Sequence, residues 1–541
     1  MDREQWFLTP TERDNPSTTL DSRHGPGGRA WTEGNAVRPL VHGAVYFPRL
    51  AEVVTGLGEG DLLCFTDWRG DPDERLTGEP GSEVAQVFCR AAERGVVVKG
   101  LLWRSHLDGL AYSADENRHL GSAVNEAGGE VLLDQRVRPF GSHHQKLVVA
   151  RGGAGDVAFT GGIDLCHSRR DDARHGGDPQ GLAMSPEYGP NPPWHDVQLE
   201  LRGPAVGDLE TVFRERWDDP APLDNRLRMA VERRLIKGVD TEASALPDQA
   251  PDPAPAGSCA VQVLRTYPAR RRPYPFAPRG ERSISEGYRK ALRRVRRLVY
   301  LEDQYLWSAH VAKLFAEALI RRPELQFVAV VPRFPDQFGA VARPPNLVGR
   351  QDALDVVRQA GGERVSVFDL ENHAGTPVYV HAKVCIMDDV WAAAGSGNLN
   401  LRSWTHDSEL SCAVLDDERD EREPRDLGGL GDGARRFARD LRLELWREHL
   451  DVAEVNVAGE NAAGEDDLVN PVTGIARLRA AAAALDAWHD GGRQGPRPPG
   501  RLREHRADRL PVRTRFWARP LYRAVVDPDG RPRKALRRSW D

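Results

Sequence analysis

The chain carries one short pattern twice, and this duplication constrains its fold more than any other feature of the sequence. The first copy, Ser142–Lys146, reads SHHQK and precedes the glycine turn Gly161–Gly162. The second copy, His381–Lys383, reads HAK and precedes Gly395–Asn398. Side chains alternate across a strand, so the His and the Lys of each copy should lie on one face. Two such faces brought together would surround one anionic centre with two imidazoles and two ammonium groups, which suits phosphodiester chemistry.

The repeat extends over both halves of the chain. Asp67 and Asp303 each end an apolar strand-like run and stand 236 positions apart, while His144 and His381 stand 237 apart. Near-equal offsets at two distant points indicate a duplication. In each half, strand-like runs alternate with helical segments, which predicts an α/β sheet. We expect two similar lobes that pack about a pseudo-twofold axis.

The sequence predicts one lobe in each half, with further segments around them. A stretch rich in Pro, Ala and Asp at 244–257 is typical of a flexible linker. After residue 492 the chain has 15 basic and 5 acidic residues. This segment either contacts an anionic partner, which would be lipid or nucleic acid, or is a solvated and partly packed closing segment. The predicted segments are an N-terminal segment (1–40), the first lobe (41–240), a linker and irregular loop (241–282), the second lobe (283–455) and a basic C-terminal extension (456–541).

Composition argues against several classes of protein. The formal net charge of −6 over 541 residues is unlike that of a protein whose whole surface binds nucleic acid. No stretch approaches the ~18 apolar residues of a membrane span, and the first residues lack the pattern of a secretory signal. The six cysteines are scattered without a CxxC pair, which indicates reduced thiols and no structural zinc. We therefore expect a cytoplasmic protein that reaches a membrane only peripherally.

These patterns resemble the signature of the phospholipase D superfamily, which is His-x-Lys-x4-Asp followed by a glycine turn. The second copy matches it in full, with Asp388 as the acid. In the first copy Arg151 stands where the signature has Asp, and Asp156 is the candidate to replace that acid. The resemblance covers roughly residues 31 to 450 and is strengthened by three further phrases: Pro193–Asp196, Leu301–Tyr305 and Asp407–Leu410.

The resemblance implies two α/β lobes, each a mixed sheet flanked by helices, with the active site between them. It assigns His144 as the nucleophile that forms a phosphohistidine and His381 as the general acid and base, although the near symmetry leaves the reverse assignment open. It places Asp196 on His144 and Glu409 on His381, with Asp407 as a competitor for the second role. The remaining implied site residues are Lys146, Lys383 and Asp388 in catalysis and Asp164, Ser396 and Asn398 in substrate binding.

The expected function is that of a phospholipase D, which hydrolyses phospholipids such as phosphatidylcholine to phosphatidic acid and transfers the phosphatidyl group to water or an alcohol. We expect a monomer that works at a membrane surface, with no metal, no cofactor and no nucleic-acid partner. Three alternatives stay open at this point. They are a nuclease with the same chemistry, a phosphatidyltransferase similar to cardiolipin synthases, and an inactive lipid-binding protein. The last alternative is favoured only by Arg151 in place of the motif aspartate.

Overall fold

The structure is a computed structural model that describes residues 2–24, 28–104, 114–153, 155–182, 184–223, 243–336, 339, 341–452, 465–506 and 509–532. The strands are β1 (Thr32–Val41), β2 (Leu62–Asp67), β3 (Val97–Trp103), β4 (Glu130–Asp134), β5 (Leu147–Arg151), β6 (Val157–Gly161), β7 (Trp194–His195), β8 (Val197–Arg202), β9 (Cys259–Tyr267), β10 (Glu281–Arg282), β11 (Leu298–Asp303), β12 (Gln326–Val330), β13 (Val365–Glu371), β14 (Pro377–Val380), β15 (Lys383–Met387), β16 (Trp391–Gly395), β17 (Glu409–Asp416) and β18 (Leu502–Glu504). The α-helices are α1 (Pro10–Arg13), α2 (Gly43–Thr55), α3 (Val84–Glu93), α4 (Ala114–Glu126), α5 (Ala205–Trp217), α6 (Ser283–Arg294), α7 (Ala309–Arg321), α8 (Arg343–Gly361), α9 (Arg436–His449), α10 (Glu465–Val469), α11 (Pro471–Asp490) and α12 (Val512–Leu521).

The two halves of the chain form sheets with the same strand order. The first sheet runs β1-β8-β6-β5-β2-β3-β4, and the second runs β9-β17-β16-β15-β11-β12-β13. In each sheet the last three strands are parallel and the other neighbours are antiparallel. Strands β1 and β9 pair with each other and join the two sheets. The prediction of a duplicated α/β fold with mixed sheets is therefore confirmed.

Alternation along the strands builds three apolar layers. In β2, Leu63 and Phe65 pack in an outer layer with the helices of the first lobe, whereas Leu62 and Cys64 face a central layer. The central layer also holds α5, α9 and the inner faces of both sheets, and a second outer layer lies behind the sheet of the second lobe. Each sheet is thus covered on both faces, as its continuous apolar strands require.

The predicted boundaries between the segments need correction. Strand β1 starts the first lobe at Thr32, before the predicted boundary at 41, and β9 lies within the segment predicted to be a linker and irregular loop. Strand β9 forms a continuous antiparallel ladder with β17 and belongs to the sheet of the second lobe. The Pro-rich stretch before it is held to the first lobe, where Ser244 donates to Glu130 and Ala256 N donates to Gly34 O. Residues 244–257 are therefore an ordered crossover rather than a flexible linker.

The C-terminal extension also packs against the second lobe. Strand β18 adds to the free edge of β13, with Leu502 opposite Leu370. Arg515 and Arg519 of α12 pair with Asp352 on α8. These contacts favour the packed alternative for the extension, and they bring α12 close to the meeting point of the lobes.

The lobes are joined by backbone pairing where the two patterns lie. Strand β14, which leads into His381, pairs in parallel with β7 of the first lobe. In the related position, His143 forms a parallel bridge with Ser408, just before β17. Each pattern therefore enters its own sheet while it is hydrogen-bonded to the other lobe.

Candidate active site

Each of the two motif histidines is held by a carboxylate of the other lobe. His144 Nδ1 lies 2.9 Å from Glu409 Oε2, and His381 Nδ1 lies 2.6 Å from Asp196 Oδ2. Since Nδ1 is occupied in both rings, each histidine presents Nε2 as the free nitrogen. Both rings line the same cavity of about 600 Å³. The arrangement is reciprocal, as a pseudo-twofold axis requires.

The predicted partners of the histidines are exchanged. The family resemblance implied Asp196 on His144 and Glu409 on His381, but the structure shows the opposite pairing. The reason is the backbone: His144 N donates to Ser408 O, and His381 N donates to His195 O. Glu409 directly follows Ser408, so it lies beside His144. Asp196 directly follows His195, so it lies beside His381.

The competitor Asp407 does not reach either motif histidine. Its carboxylate accepts hydrogen bonds from Ser142 N and Oγ and pairs with Arg402. It therefore fixes the segment that leads into His144 without contacting the His144 ring.

Lysines stand beside both histidines at the start of the strands. Lys146 precedes β5, and Lys383 is the first residue of β15. Lys146 Nζ lies 2.8 Å from Asp164 Oδ1, while Asn398, the counterpart of Asp164, is neutral and has no hydrogen-bond partner for its buried Oδ1. Asp164 and Asn398 both line the cavity.

The two turns that carry these side chains are anchored by the aspartates that end β2 and β11. Asp67 accepts from Leu165 N at 2.9 Å, and Asp303 accepts from Leu399 N at 2.9 Å. Asp67 and Asp303 are the residues whose spacing first indicated the duplication. Their role is to hold the turns in place next to the histidines.

Burial and charge set the protonation of the site. Burial, together with the charges of Lys383 and Arg169, holds the pKa of His381 well below its ordinary value, and the negative charge of an anion bound beside the ring would favour the protonated form that can act as an acid. Burial lowers the pKa of Lys383 to about 8, although Asp196 opposes the shift. Burial alone would raise the pKa of Asp164, but Lys146 and Arg169 hold it below its ordinary value. The site is thus an anion-binding centre that retains one carboxylate in the first lobe.

Comparison with known proteins finds the same family that the sequence motifs resemble. A family model described as phospholipase D matches residues 73–317. Phospholipase D alpha 1 from Brassica oleracea var. capitata and from Arabidopsis thaliana are each 25% identical over 544 aligned residues, which cover 76% of this chain and 65% of the relative. The chain is thus similar to the phospholipase D superfamily in both comparisons. It spans slightly less than two thirds of the length of these plant relatives.

Among solved structures of related fold, the phosphatidylserine synthase of Haemophilus influenzae Rd KW20 aligns with a TM-score of 0.47 and 13% identity, over 70% of this chain and 82% of that one. Nuc from Salmonella typhimurium, described as a phospholipase D family member, aligns over 29% of this chain and 84% of that one, with 14% identity and a TM-score of 0.21.

The superfamily's motif aspartate, Asp388, lies outside the cavity. It follows the far end of β15, about 16 Å along the strand from Lys383. Its carboxylate accepts three backbone hydrogen bonds at 2.7–2.9 Å, from Arg296, Arg297 and Leu298 at the start of β11. The prediction that Asp388 belongs to the catalytic set is therefore wrong, and its role is to fix two neighbouring strands.

Arg151, which stands where the signature has an aspartate, lies at the position of the first lobe that corresponds to Asp388 in the second. Arg151 ends β5 and pairs with Glu210 at 2.8 Å. Asp156 does not replace the missing acid, because it accepts from Gly152 N in its own hairpin and pairs with Arg151. The exchange of Asp for Arg thus leaves His144 and Lys146 untouched.

Ser396 also differs from its predicted role. Its hydroxyl donates to Glu409 Oε2 at 2.5 Å and accepts from Leu410 N, and its side chain is not part of the cavity wall. It therefore positions Glu409 rather than the substrate. The counterpart in the first lobe is Gly162, where a Cβ atom would lie 2.1 Å from Asp196 Oδ1. Only a glycine leaves room for Asp196 to reach His381.

Aromatic side chains and the guanidinium of Arg169 line the cavity, and none of them is among the predicted site residues. The ring of Trp68 lies 6.3 Å from that of His144, and the ring of Trp194 lies 4.9 Å from that of His381. Arg169 stacks on Trp194 at 3.9 Å. Trp68 directly follows the apolar strand β2, Arg169 follows the turn at Asp164, and Trp194 lies within the phrase Pro193–Asp196. The other aromatic residues of the wall are Trp103, Tyr305, Trp307 and Tyr379.

We predict that Asp388→Ala lowers the free energy of unfolding by about 1–3 kcal/mol, because three buried backbone donors lose their acceptor. Urea unfolding of the variant and of the wild-type protein measures this change. Asp156→Ala is the matched control and should cost less, since its hairpin reaches solvent. An Asp388→Ala protein as stable as the wild type would contradict the structural role.

Proposed function

We propose that this protein is a phospholipase D, which hydrolyses glycerophospholipids such as phosphatidylcholine to phosphatidic acid and also transfers the phosphatidyl group to alcohols. The observation that carries the proposal is the pair of carboxylate-held imidazoles that face one cavity from opposite lobes. The plant relatives are named phospholipase D. Both halves of the site come from one chain, so a monomer is sufficient.

The reaction needs two displacements at phosphorus. Nε2 of one histidine attacks, a P–N bond forms, and the P–O bond to the head group breaks while the other imidazolium donates its proton to the leaving oxygen. Water or an alcohol then gives a proton to that second imidazole and attacks, and the P–N bond breaks. Glu409 and Asp196 stabilise whichever ring is positively charged at each step.

Lysine charge takes the place of a divalent ion in this scheme. Lys146 and Lys383 lie two residues after the histidines and can balance the negative charge that develops on the non-bridging oxygens. Lys146 is shared with Asp164, whereas Lys383 has the neutral Asn398 as the related neighbour.

The mouth of the cavity favours a lipid over a nucleic acid. Four apolar side chains on its rim are strongly exposed: Phe140 by 63%, Val341 by 70%, Leu521 by 41% and Val525 by 47%. The three aliphatic side chains offer no stacking surface to a base, but all four gain free energy by entering the apolar part of a lipid layer.

Helix α12 continues this rim. It exposes Val512 by 84% and Phe516 by 85%, while two of its arginines share the carboxylate of Asp352. Arg402 ties the following segment to the site through Val525 O and Val526 O. Within the described parts of the chain, no helix combines the length and apolar character needed to cross a bilayer. We propose that α12 and the rim rest on the membrane surface from the cytoplasmic side.

A nuclease is the second candidate, since the tryptophans of the cavity wall could stack on bases. Choline release from phosphatidylcholine vesicles and cleavage of single-stranded DNA, measured with one preparation, separate the two. We expect choline release and no DNA cleavage, and the reverse result would replace the lipid proposal.

The roles of the two histidines can be separated with bis(p-nitrophenyl) phosphate, a soluble diester whose leaving group needs no proton. We predict that His381→Ala releases about one equivalent of p-nitrophenolate in a burst and then turns over about 10²–10⁴-fold more slowly than the wild type. His144→Ala should show neither burst nor turnover. The exposed His373 offers a control in His373→Ala. The opposite pattern would exchange the two roles, and steady turnover by both variants would exclude the mechanism.

The crossed pairing gives a further test. We predict that Glu409→Gln lowers turnover of the same diester by about 10²–10⁴-fold, because an amide cannot stabilise the imidazolium of His144. Asp407→Asn is the matched control, since Asp407 binds Ser142 and not the ring. A larger loss in Asp407→Asn than in Glu409→Gln would contradict the observed pairing.

The membrane contact predicts a split between soluble and vesicle substrates. Phe516→Asp and Val512→Asp should lower choline release from vesicles by about tenfold or more, since each loses an apolar side chain that would be buried in lipid. Turnover of the soluble diester should be unchanged, because neither residue lines the cavity. Ile320→Asp is the control, as Ile320 is 68% exposed in the last turn of α7, which leads to the start of β12 at the opposite end of the sheet. Equal loss in all three variants would exclude a specific membrane face.

A further inference from the structure

Three histidines and one glutamate converge behind the proposed active site, and no step of the mechanism uses them. The histidine cluster consists of His42, His175, His195 and Glu448. His42 follows β1, His175 lies in the long loop before β7, His195 ends β7, and Glu448 lies in the last turn of α9 in the second lobe. All four are buried or nearly so, and the three histidine residues are at most 3% exposed.

Each imidazole directs one nitrogen at the same carboxylate. His42 Nε2 lies 2.8 Å from Glu448 Oε2, and His175 Nε2 lies 3.1 Å from Glu448 Oε1. His195 Nδ1 lies 3.2 Å from Glu448 Oε1. The four candidate donor atoms all lie within 4.8 Å of one another. Imidazole and carboxylate donors in this number are the ligands of Zn²⁺.

The spacing of the rings fits a tetrahedral ion. Their centroids are 5.1 Å apart for His42 and His175, 5.1 Å for His42 and His195, and 5.7 Å for His175 and His195. Three imidazoles bound at about 2.05 Å to one tetrahedral Zn²⁺ would hold their centroids about 5.2 Å apart. The ring planes are inclined by 66–87°, so the rings do not stack on one another.

The outer partners of the cluster are those that metal-bound histidines use. His195 Nε2 lies 2.7 Å from Glu302 Oε2, and the other oxygen of Glu302 lies 2.7 Å from His449 Nε2. His175 Nδ1 faces Asp171 at 3.8 Å. A carboxylate on the second nitrogen fixes the tautomer that presents the first nitrogen to a metal.

The backbone of His42 adds independent support. It adopts φ 72° and ψ 153°, a region that is occupied almost only by glycine and costs about 1–3 kcal/mol for other residues. An imidazole in that conformation indicates that its side chain is needed there. The N–H group of His42 also donates to Asp196 O at 2.8 Å, which connects the cluster to the carboxylate that holds His381.

We propose that His42, His175, His195 and Glu448 bind one Zn²⁺ ion in a closed, four-coordinate structural site. Three ligands come from the first lobe and one from the second, so the ion fastens α9 to the first lobe directly behind Asp196. Because protein atoms fill all four coordination positions of the ion, the substrate phosphate cannot bind to it. The proposal does not depend on the identity of the substrate.

The first test is the zinc content of the full-length protein, purified without a histidine tag and dialysed against metal-free buffer, by inductively coupled plasma mass spectrometry. We expect about one Zn²⁺ per chain, and about tenfold less in Glu448→Gln and His175→Ala. His119→Ala should keep the wild-type content, since its side chain is 69% exposed on α4. Folded wild-type protein with less than about one tenth of an equivalent would overturn the proposal.

A second test avoids variants that fail to fold. The wild-type protein is treated with a chelator and titrated with ZnCl₂ alone, and then with CoCl₂ alone. We expect the Tm to rise by several degrees and to level off at one equivalent, and Co²⁺ to give the visible absorption of a four-coordinate site. A Tm that does not respond to zinc would overturn the proposal. Neither test measures activity, so failure of the phospholipase proposal would leave this one intact, and the reverse also holds.

Discussion

The contact on which the structure depends is the exchange of carboxylates between the lobes. Glu409 of the second lobe holds His144 of the first, and Asp196 of the first holds His381 of the second. Separation of the lobes would break both carboxylate–imidazole hydrogen bonds at once. The same contacts that position the rings therefore also fix the distance between the lobes, and the cavity between them has a defined width.

The duplicated halves share an architecture but differ at the positions that set the chemistry. Gly162 makes room for the short side chain of Asp196, whereas Ser396 donates to the longer Glu409. Asp164 adds a negative charge beside Lys146, and its counterpart Asn398 adds none. A pseudo-twofold axis alone would give two equal histidines. These exchanges make the surroundings of the two rings unequal.

Much of this fold was readable from the sequence because the duplication repeats it at a constant offset. The equal spacing from Asp67 to Asp303 and from His144 to His381 predicted two lobes, and both aspartates and both histidines occupy equivalent places. What was not readable depends on contacts between the halves. The pairing of β7 with β14 involves only Trp194, His195 and their two partners, which is too short a ladder to leave a pattern.

Other misses have equally local reasons. The predicted role of Asp388 failed because five residues of strand carry it to the far end of the sheet, although it stands close to Lys383 in the sequence. Strand β9 was missed because a Pro-rich crossover precedes it and an irregular, Arg-rich stretch follows it. The histidine cluster had no signal at all, since His42 and Glu448 are brought together from opposite ends of the fold.

The exchange of carboxylates between the lobes also affects the order in which the site forms during synthesis. Glu409 is synthesised 265 residues after His144, so the first lobe can fold as the ribosome proceeds while its imidazole still lacks an acceptor. His381 emerges later, and the reacting centre closes only once β17 has joined its sheet. A nascent chain released early would thus carry one complete motif without hydrolytic capacity. In the proposed mechanism, translation would postpone the formation of the active site until β17 has been synthesised.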